Sequence, residues 1–290
     1  MTFWPCVKLN FGSKKVNWTI SQGLFIFTIQ FLTAACLLTS APLSCFAEQA
    51  LIAVASNFSS PARAIALAFE QESGHSVRLS QGSSGKLYAQ IYNGAPFDVF
   101  LSADTEKPAL LVKEGLAIEG SQRTYARGTL ALWTIDDGVI INAETLRAGD
   151  FVRLAQANPR LAPYGLAAQQ VIASLGLTQA LAGKRVIGEN ISQAYQFVTT
   201  GNAELGFVAM SQVLVDGELV KGSLWRVPQT LHSPIAQDAV LLARGLNNSA
   251  AQEFMTFLTS AKAVSILHSF GYSVEGDALG PVGSVEKTDG

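Results

Sequence analysis

Short apolar runs alternate with segments of helical spacing along most of the chain beyond residue 47. Residues 51–55 form an apolar run, and from about Ser60 the anchors Ile65, Ala68 and Phe69 fall at helical spacing. Pro61 suits the first turn of that helix and Gly74 its end. Residues 77–80 read as a second strand. The next helix begins near Ser84, carries Leu87 and Ile91 four apart and stops at Asn93-Gly94. Residues 98–101 read as a third strand, and Ser102-Ala103-Asp104 leads into a helix through Leu110, Leu111 and Glu114 that Gly115 closes. A second series begins near Gly128. Its strands fall at 129–134, 151–155, 185–187, 205–209 and 224–227. Its helices start at Tyr164-Gly165, with Ala168, Val171, Ile172 and Leu175 on one face, and after Glu189-Asn190, with Ile191, Ala194, Tyr195 and Val198. A run at 239–242 and helices at 249–258 and 261–269 follow, and the Gly-, Ser- and charge-rich tail from Asp277 reads as loosely held.

This alternation predicts an α/β protein of two units, each a mixed, mostly parallel sheet flanked by helices. If the final strand and helices return to the first unit, the chain crosses twice, near 125–128 and near 233–238. Lobe 1 is then 48–127 with 233–290, lobe 2 is 128–232, and two crossings make a hinge with a ligand cleft between the lobes.

The first 47 residues differ from the rest. They hold all three cysteines, Cys6, Cys36 and Cys45, with Lys8, Lys14 and Lys15 and no acid. A nearly unbroken apolar stretch from Gly23 to Leu38 ends in the small residues before Ala47. A basic start, a short apolar core and a small-residue exit read as a secretory signal peptide over 1–47, hence a periplasmic protein. The core is short for a membrane span. The residues before Cys36 and Cys45 fit a lipid-attachment box poorly. Cleavage after Ala47 removes every cysteine, and with them disulfides, thiolate catalysis and cysteine metal sites. Taking the three lysines from the 20 basic residues leaves 17 against 22 acidic, a net charge of −5. Such a chain is a poor partner for nucleic acid.

Catalytic signatures are missing from the sequence. His75, His232 and His268 are far apart, without metal-ligand spacing, and read as surface or helix-end residues. Gly82-Ser83-Ser84-Gly85 matches neither a nucleophile elbow nor a P-loop. Asp136-Asp137 precedes Gly138 and reads as a turn. The informative features are four junctions where small polar residues open a helix: Ser56-Asn57, Ser83-Ser84, Pro163-Tyr164-Gly165 and Asn190-Ile191. One such junction is most simply a helix cap. Two in each proposed lobe are what a shared anion site needs, because free N–H groups at helix starts favour negative charge.

These residues resemble the molybdate-binding periplasmic proteins of the ModA type, the solute receptors of molybdate ABC transporters. The likeness rests on Val54-Ala55-Ser56-Asn57-Phe58, on residues 81–91 (QGSSGKLYAQI) and on residues 94–104 (GAPFDVFLSAD). It continues in Ala162-Pro163-Tyr164-Gly165, Glu189-Asn190-Ile191, residues 204–208 and Phe270-Gly271-Tyr272. It implies a two-lobed class II periplasmic binding protein, without catalytic residues or cofactor, that hands molybdate or tungstate to an inner-membrane ABC permease. A monomer is expected. It also implies that Asn57 with Ser56, and Ser84 with Ser83, contact the oxyanion from one lobe, and that Tyr164 and Ile191 lend mainly backbone N–H groups from the other. A ligand tyrosine of some family members is replaced here by Ala209.

The chemistry agrees with that expectation. Molybdate at neutral pH is fully deprotonated, so its site should offer only donors, whereas phosphate keeps a proton and wants a carboxylate acceptor. Asp98 and Asp104 are the nearest acids; Asp98 falls within a strand and Asp104 reads as a cap. Two alternatives stand beside this reading. One is the same fold holding sulfate or ferric iron, the latter needing a tyrosine pair that Tyr164 and Tyr195 do not supply. The other is an exported hydrolase.

Overall fold

A computed structural model describes residues 47–277. Residues 1–46, on which the signal-peptide reading and Cys36 and Cys45 fall, and the tail beyond 277 lie outside the described residues. The chain opens with strand β1 (Gln49–Ala55), a 3-10 turn (Ser56–Phe58) and helix α1 (Ser59–Ser73). Then come β2 (Ser76–Gly82), α2 (Ser84–Tyr92), β3 (Val99–Leu101), α3 (Glu106–Lys113) and β4 (Arg123–Gly128). The middle holds β5 (Leu130–Thr134), α4 (Ala143–Ala148), β6 (Leu154–Ala157), α5 (Pro163–Ser174), β7 (Arg185–Gly188), α6 (Ile191–Thr199) and β8 (Leu205–Ala209). A small hairpin, β9 (Leu214–Val215) with β10 (Glu218–Leu219), precedes β11 (Ser223–Arg226), β12 (Ile235–Leu241), α7 (Ser249–Phe257) and α8 (Ala261–Ser269).

The strands form two five-stranded sheets, ordered β2-β1-β3-β12-β4 and β11-β5-β8-β6-β7. Each is mixed. The βα alternation sets the parallel pairs β1 with β2 and β3, and β6 with β7 and β8. The antiparallel pairs involve β12, β5 and β11, the strands at which the chain passes between sheets. The chain leaves the first sheet at 128–130, and it returns after β11, so that β12 lies between β3 and β4.

Several elements differ from the sequence reading. The segment read as a crossing near 125–128 is the end of strand β4, an edge strand whose half-buried Arg123 and Arg127 hid its alternation. The strand expected at 151–155 lies at Leu154–Ala157. Helix α4 is new; it has six residues and one buried side chain, Leu146, too little for a periodic signal. Its start was nonetheless marked, since the Asn142 side chain accepts from the N–H groups of Glu144 and Thr145. Asp98 precedes β3 rather than lying in it. Its carboxylate accepts from the Leu51 N–H at 2.8 Å and pairs with Arg244.

Apolar side chains pack on both faces of each sheet. Phe58 is fully buried and meets Tyr125 and Tyr272 edge-on, with ring centroids 4.8 and 5.4 Å away. Such pairs contribute about 0.5–1.5 kcal/mol each beyond area burial. They pin the turn that ends β1, so its two preceding residues are held in place.

Candidate functional site

The four junctions converge. Ser56 and Asn57, Ser83 and Ser84, Tyr164 and Ile191 all line one small cavity of about 10 Å³, together with Ala55, Ala103, Ala162 and Pro163. That is below the usual range of about 300–1,000 Å³ for drug-sized ligands. A wider groove beside it shares Ala103 and Pro163 but is lined mainly by Leu166, Ala167, Pro234, Ile235 and Ala236. Its carboxylate, Asp104, is occupied by Lys107. The smaller cavity is therefore where donors gather.

Helix geometry explains those donors. The first N–H groups of a helix have no partner within it. At α2 the Gly85 N–H reaches the Leu161 carbonyl, and Ser83 caps by accepting from the Lys86 N–H. Among the described residues the Ser84 N–H has no such acceptor. At α6 the Asn190 side chain takes the Gln193 N–H, which leaves those of Ile191 and Ser192. At α5 Pro163 has no N–H, so Tyr164 and Gly165 supply the first free ones. Each helix start also carries partial positive charge from its macrodipole. Gly165 allows the close seating of α5: a Cβ there would lie 2.4 Å from the Ala157 carbonyl oxygen.

Hydroxyls add to this set from one side only. Ser84 Oγ accepts from the Ala103 N–H at 3.0 Å, so its own proton is free to donate. Ser56 Oγ has no partner among the described residues. Asn57 behaves differently. Its carboxamide donates to Gln237 Oε1 at 2.9 Å and to Tyr272 Oη at 3.0 Å, which uses both protons. The backbone N–H is therefore the donor Asn57 has left to offer.

No Asp, Glu, Lys, Arg or His is among the lining residues. Asp104 does the capping work expected of it, accepting from the Lys107 N–H at 3.0 Å. Asp137 stands in a turn, as its sequence suggests, and accepts from the Gly222 N–H in the loop before β11. The histidines sit at helix ends, but His75 and His232 are buried rather than on the surface. His75 stacks on Phe69 and its Nδ1 accepts from the Glu48 N–H, contacts with a segment outside the helix that spacing does not reveal.

A buried polar cluster, which sequence reasoning missed, backs the cavity. Gln237 Oε1 also accepts from Tyr125 Oη at 3.2 Å, and Gln237 Nε2 donates to Tyr164 Oη at 3.3 Å. Ser211 Oγ donates to the Asn57 carbonyl at 2.8 Å and shares a hydrogen bond with Tyr272 Oη at 3.0 Å. Burial pushes the hydroxyls of Tyr125 and Tyr164 well above their ordinary range, and that of Tyr272 up as well. All three stay neutral. The signal was present for Gln237, a polar residue inside the apolar strand β12. Ala209, at the end of β8, is buried and does not line the cavity. Tyr195 stacks on Trp133, apart from the Tyr164 hydroxyl, so the two form no pair.

Comparison with known proteins agrees with this architecture. Residues 50–273 match the family model described as bacterial extracellular solute-binding protein. The chain is 49% identical over 236 residues to the molybdate-binding protein ModA of Azotobacter vinelandii, covering 80% of this chain and 94% of the relative. It is 44% identical to ModA of Rhodobacter capsulatus over 244 residues, covering 84% and 95%. The solved structure of the Azotobacter vinelandii periplasmic molybdate-binding protein superposes with a TM-score of 0.75 at 38% identity, covering 78% of this chain and 99% of that one. The fold is thus that of the periplasmic binding proteins, and the chain belongs to the bacterial extracellular solute-binding proteins, within the family of the ModA proteins.

Proposed function

We propose that this protein captures molybdate, with tungstate as the nearest analogue, and delivers it to an ABC permease of the inner membrane. The observation that carries the reading is the convergence of four helix-start junctions on one small cavity whose lining has hydrogen-bond donors and no acid. A dianion with four accepting oxygens is matched by such a wall. Phosphate, which keeps a proton at neutral pH, would lack a carboxylate acceptor. Charge-assisted bonds contribute about 1.5–3 kcal/mol each, so several neutral donors bind an anion without the cost of burying cations.

In this reading Ser56, Ser83 and Ser84 contribute hydroxyls, and Asn57, Ser84, Tyr164 and Ile191 contribute backbone N–H groups. Residues 48–127 with 233–290 act as one lobe and 128–232 as the other, and the anion favours the closed arrangement because it bonds to both. The leader at 1–47 directs export to the periplasm, where the protein works as a monomer. It is a carrier rather than an enzyme. Calorimetric titration of residues 48–290 with molybdate, tungstate, sulfate and phosphate tests this. Tight binding of molybdate with far weaker sulfate and phosphate is expected; tight sulfate or phosphate binding without molybdate would overturn it.

A further inference from the structure

The buried cluster behind the cavity joins the two sheets through Ser211, which reaches the Asn57 carbonyl and the Tyr272 hydroxyl, and through Gln237, which alone in it bonds side chains from both cavity walls. Gln237 is fully buried in β12 of the first sheet. Its oxygen holds the Asn57 carboxamide, on the turn that lines one wall of the cavity, and its nitrogen holds the Tyr164 hydroxyl, from the helix start that lines the other. The local fold is shaped around it. The β12–β4 register shifts beside Gln237, with Tyr125 the extra residue on β4, a bulge of the kind that re-aims a side chain, and the Tyr125 hydroxyl donates to Gln237 Oε1. Gly128, where the chain leaves the first sheet, makes room: a Cβ there would lie 2.0 Å from Tyr164 Oη and 2.7 Å from Gln237 Nε2.

We infer that Gln237 is a positioning residue that sets the spacing between the two donor walls and so the size of anion accepted. The inference rests on the oxyanion-binding reading above. A smaller tetrahedral anion can satisfy both walls only if they move together. A rigid amide bridge at the crossing point, satisfied on both of its polar ends, resists that movement. Gln237 bonds none of the hydroxyls of Ser56, Ser83 and Ser84 and no free helix-start N–H, so its effect on ligands passes through Asn57 and Tyr164.

The test compares molybdate and sulfate affinities, the latter by displacement of bound molybdate, in wild type, Gln237→Met, Tyr164→Phe and the double variant. Each single change removes the Gln237–Tyr164 bond and leaves the backbone donors in the chain. The expected result is a fall of about tenfold or more in the molybdate-to-sulfate ratio in each single variant, with the double no lower than the worse single, because both break one link. A ratio within threefold of wild type, or equal weakening of both anions, would overturn the positioning role. If Gln237→Met fails to fold, Tyr164→Phe decides by the same criterion. Wild-type protein that binds no molybdate would instead defeat the reading on which this one rests.

Discussion

The two walls of the cavity use different donors. The wall built on the first sheet combines hydroxyls with backbone N–H groups, from Ser56, Asn57, Ser83 and Ser84. The wall built on the second sheet offers backbone alone. Tyr164 turns its hydroxyl to Gln237, Asn190 spends its side chain on its own helix cap, and Ile191 has no polar side chain. A hydroxyl donor can be removed by a point substitution, whereas a backbone donor can only be displaced. The two walls should therefore fail in different ways.

The largest effect should come from moving a backbone donor. In Gly165→Ala the new Cβ would meet the Ala157 carbonyl at 2.4 Å, with the Ala157 and Asn158 carbonyl carbons at 2.8 Å. These are main-chain atoms and cannot rotate away, so α5 must shift at its start. Overpacking of this kind costs about 1–3 kcal/mol of stability. Misplacing the Tyr164 and Gly165 N–H groups should weaken anion binding by about 100-fold, equivalent to about 2.7 kcal/mol. Calorimetry with a parallel thermal melt checks both. Full affinity in Gly165→Ala would mean that the start of α5 lends no backbone donor.

Ser84→Ala should cost less, and the contrast with Ile191 sharpens the comparison. Loss of the hydroxyl removes one charge-assisted donor, about 1.5–3 kcal/mol or roughly 10- to 100-fold in affinity. It also strips the Ala103 N–H of its acceptor. Ile191→Val keeps the N–H and alters only a buried methylene, so affinity should stay within about twofold while stability drops by about 0.5–1.5 kcal/mol. Equal losses in the two variants would erase the distinction between the walls.

The parts of this arrangement that were legible in sequence share one property: they are local. A strand that ends in Ser-Asn or Ser-Ser and enters an amphipathic helix declares its free N–H groups within a few residues. So Ser56, Ser84, Tyr164 and Ile191 could be picked out, as could most strands and helices. Edge strand β4 and the six-residue α4 lacked a sufficient apolar pattern. The role of Asn57 was not local. Its amide looked like a ligand donor until Gln237 and Tyr272, 180 and 215 residues away in sequence, were seen to take both protons. Only packing brings such partners together, and the β4 bulge at Tyr125, beside Gln237, leaves no mark in composition.

The smallest effect on binding should be that of pH, because both walls are neutral. No lining residue titrates between pH 6 and 9, so molybdate affinity should be flat across that range, whichever wall dominates. Stability should behave differently at higher pH. Tyr125, Tyr164 and Tyr272, behind the cavity, have hydroxyls raised by burial above the ordinary tyrosine value of about 10. Above that value the unfolded chain loses phenolic protons that the folded chain retains. The unfolded state then binds fewer protons, and stability falls as pH rises. The contribution of these groups is fully present below about pH 10 and declines above it toward their raised values. Urea melts of wild type and Tyr272→Phe from pH 8 to 11 measure this, and the variant should show a shallower decline. An identical slope in the two would place the alkaline sensitivity outside the cluster that joins the walls.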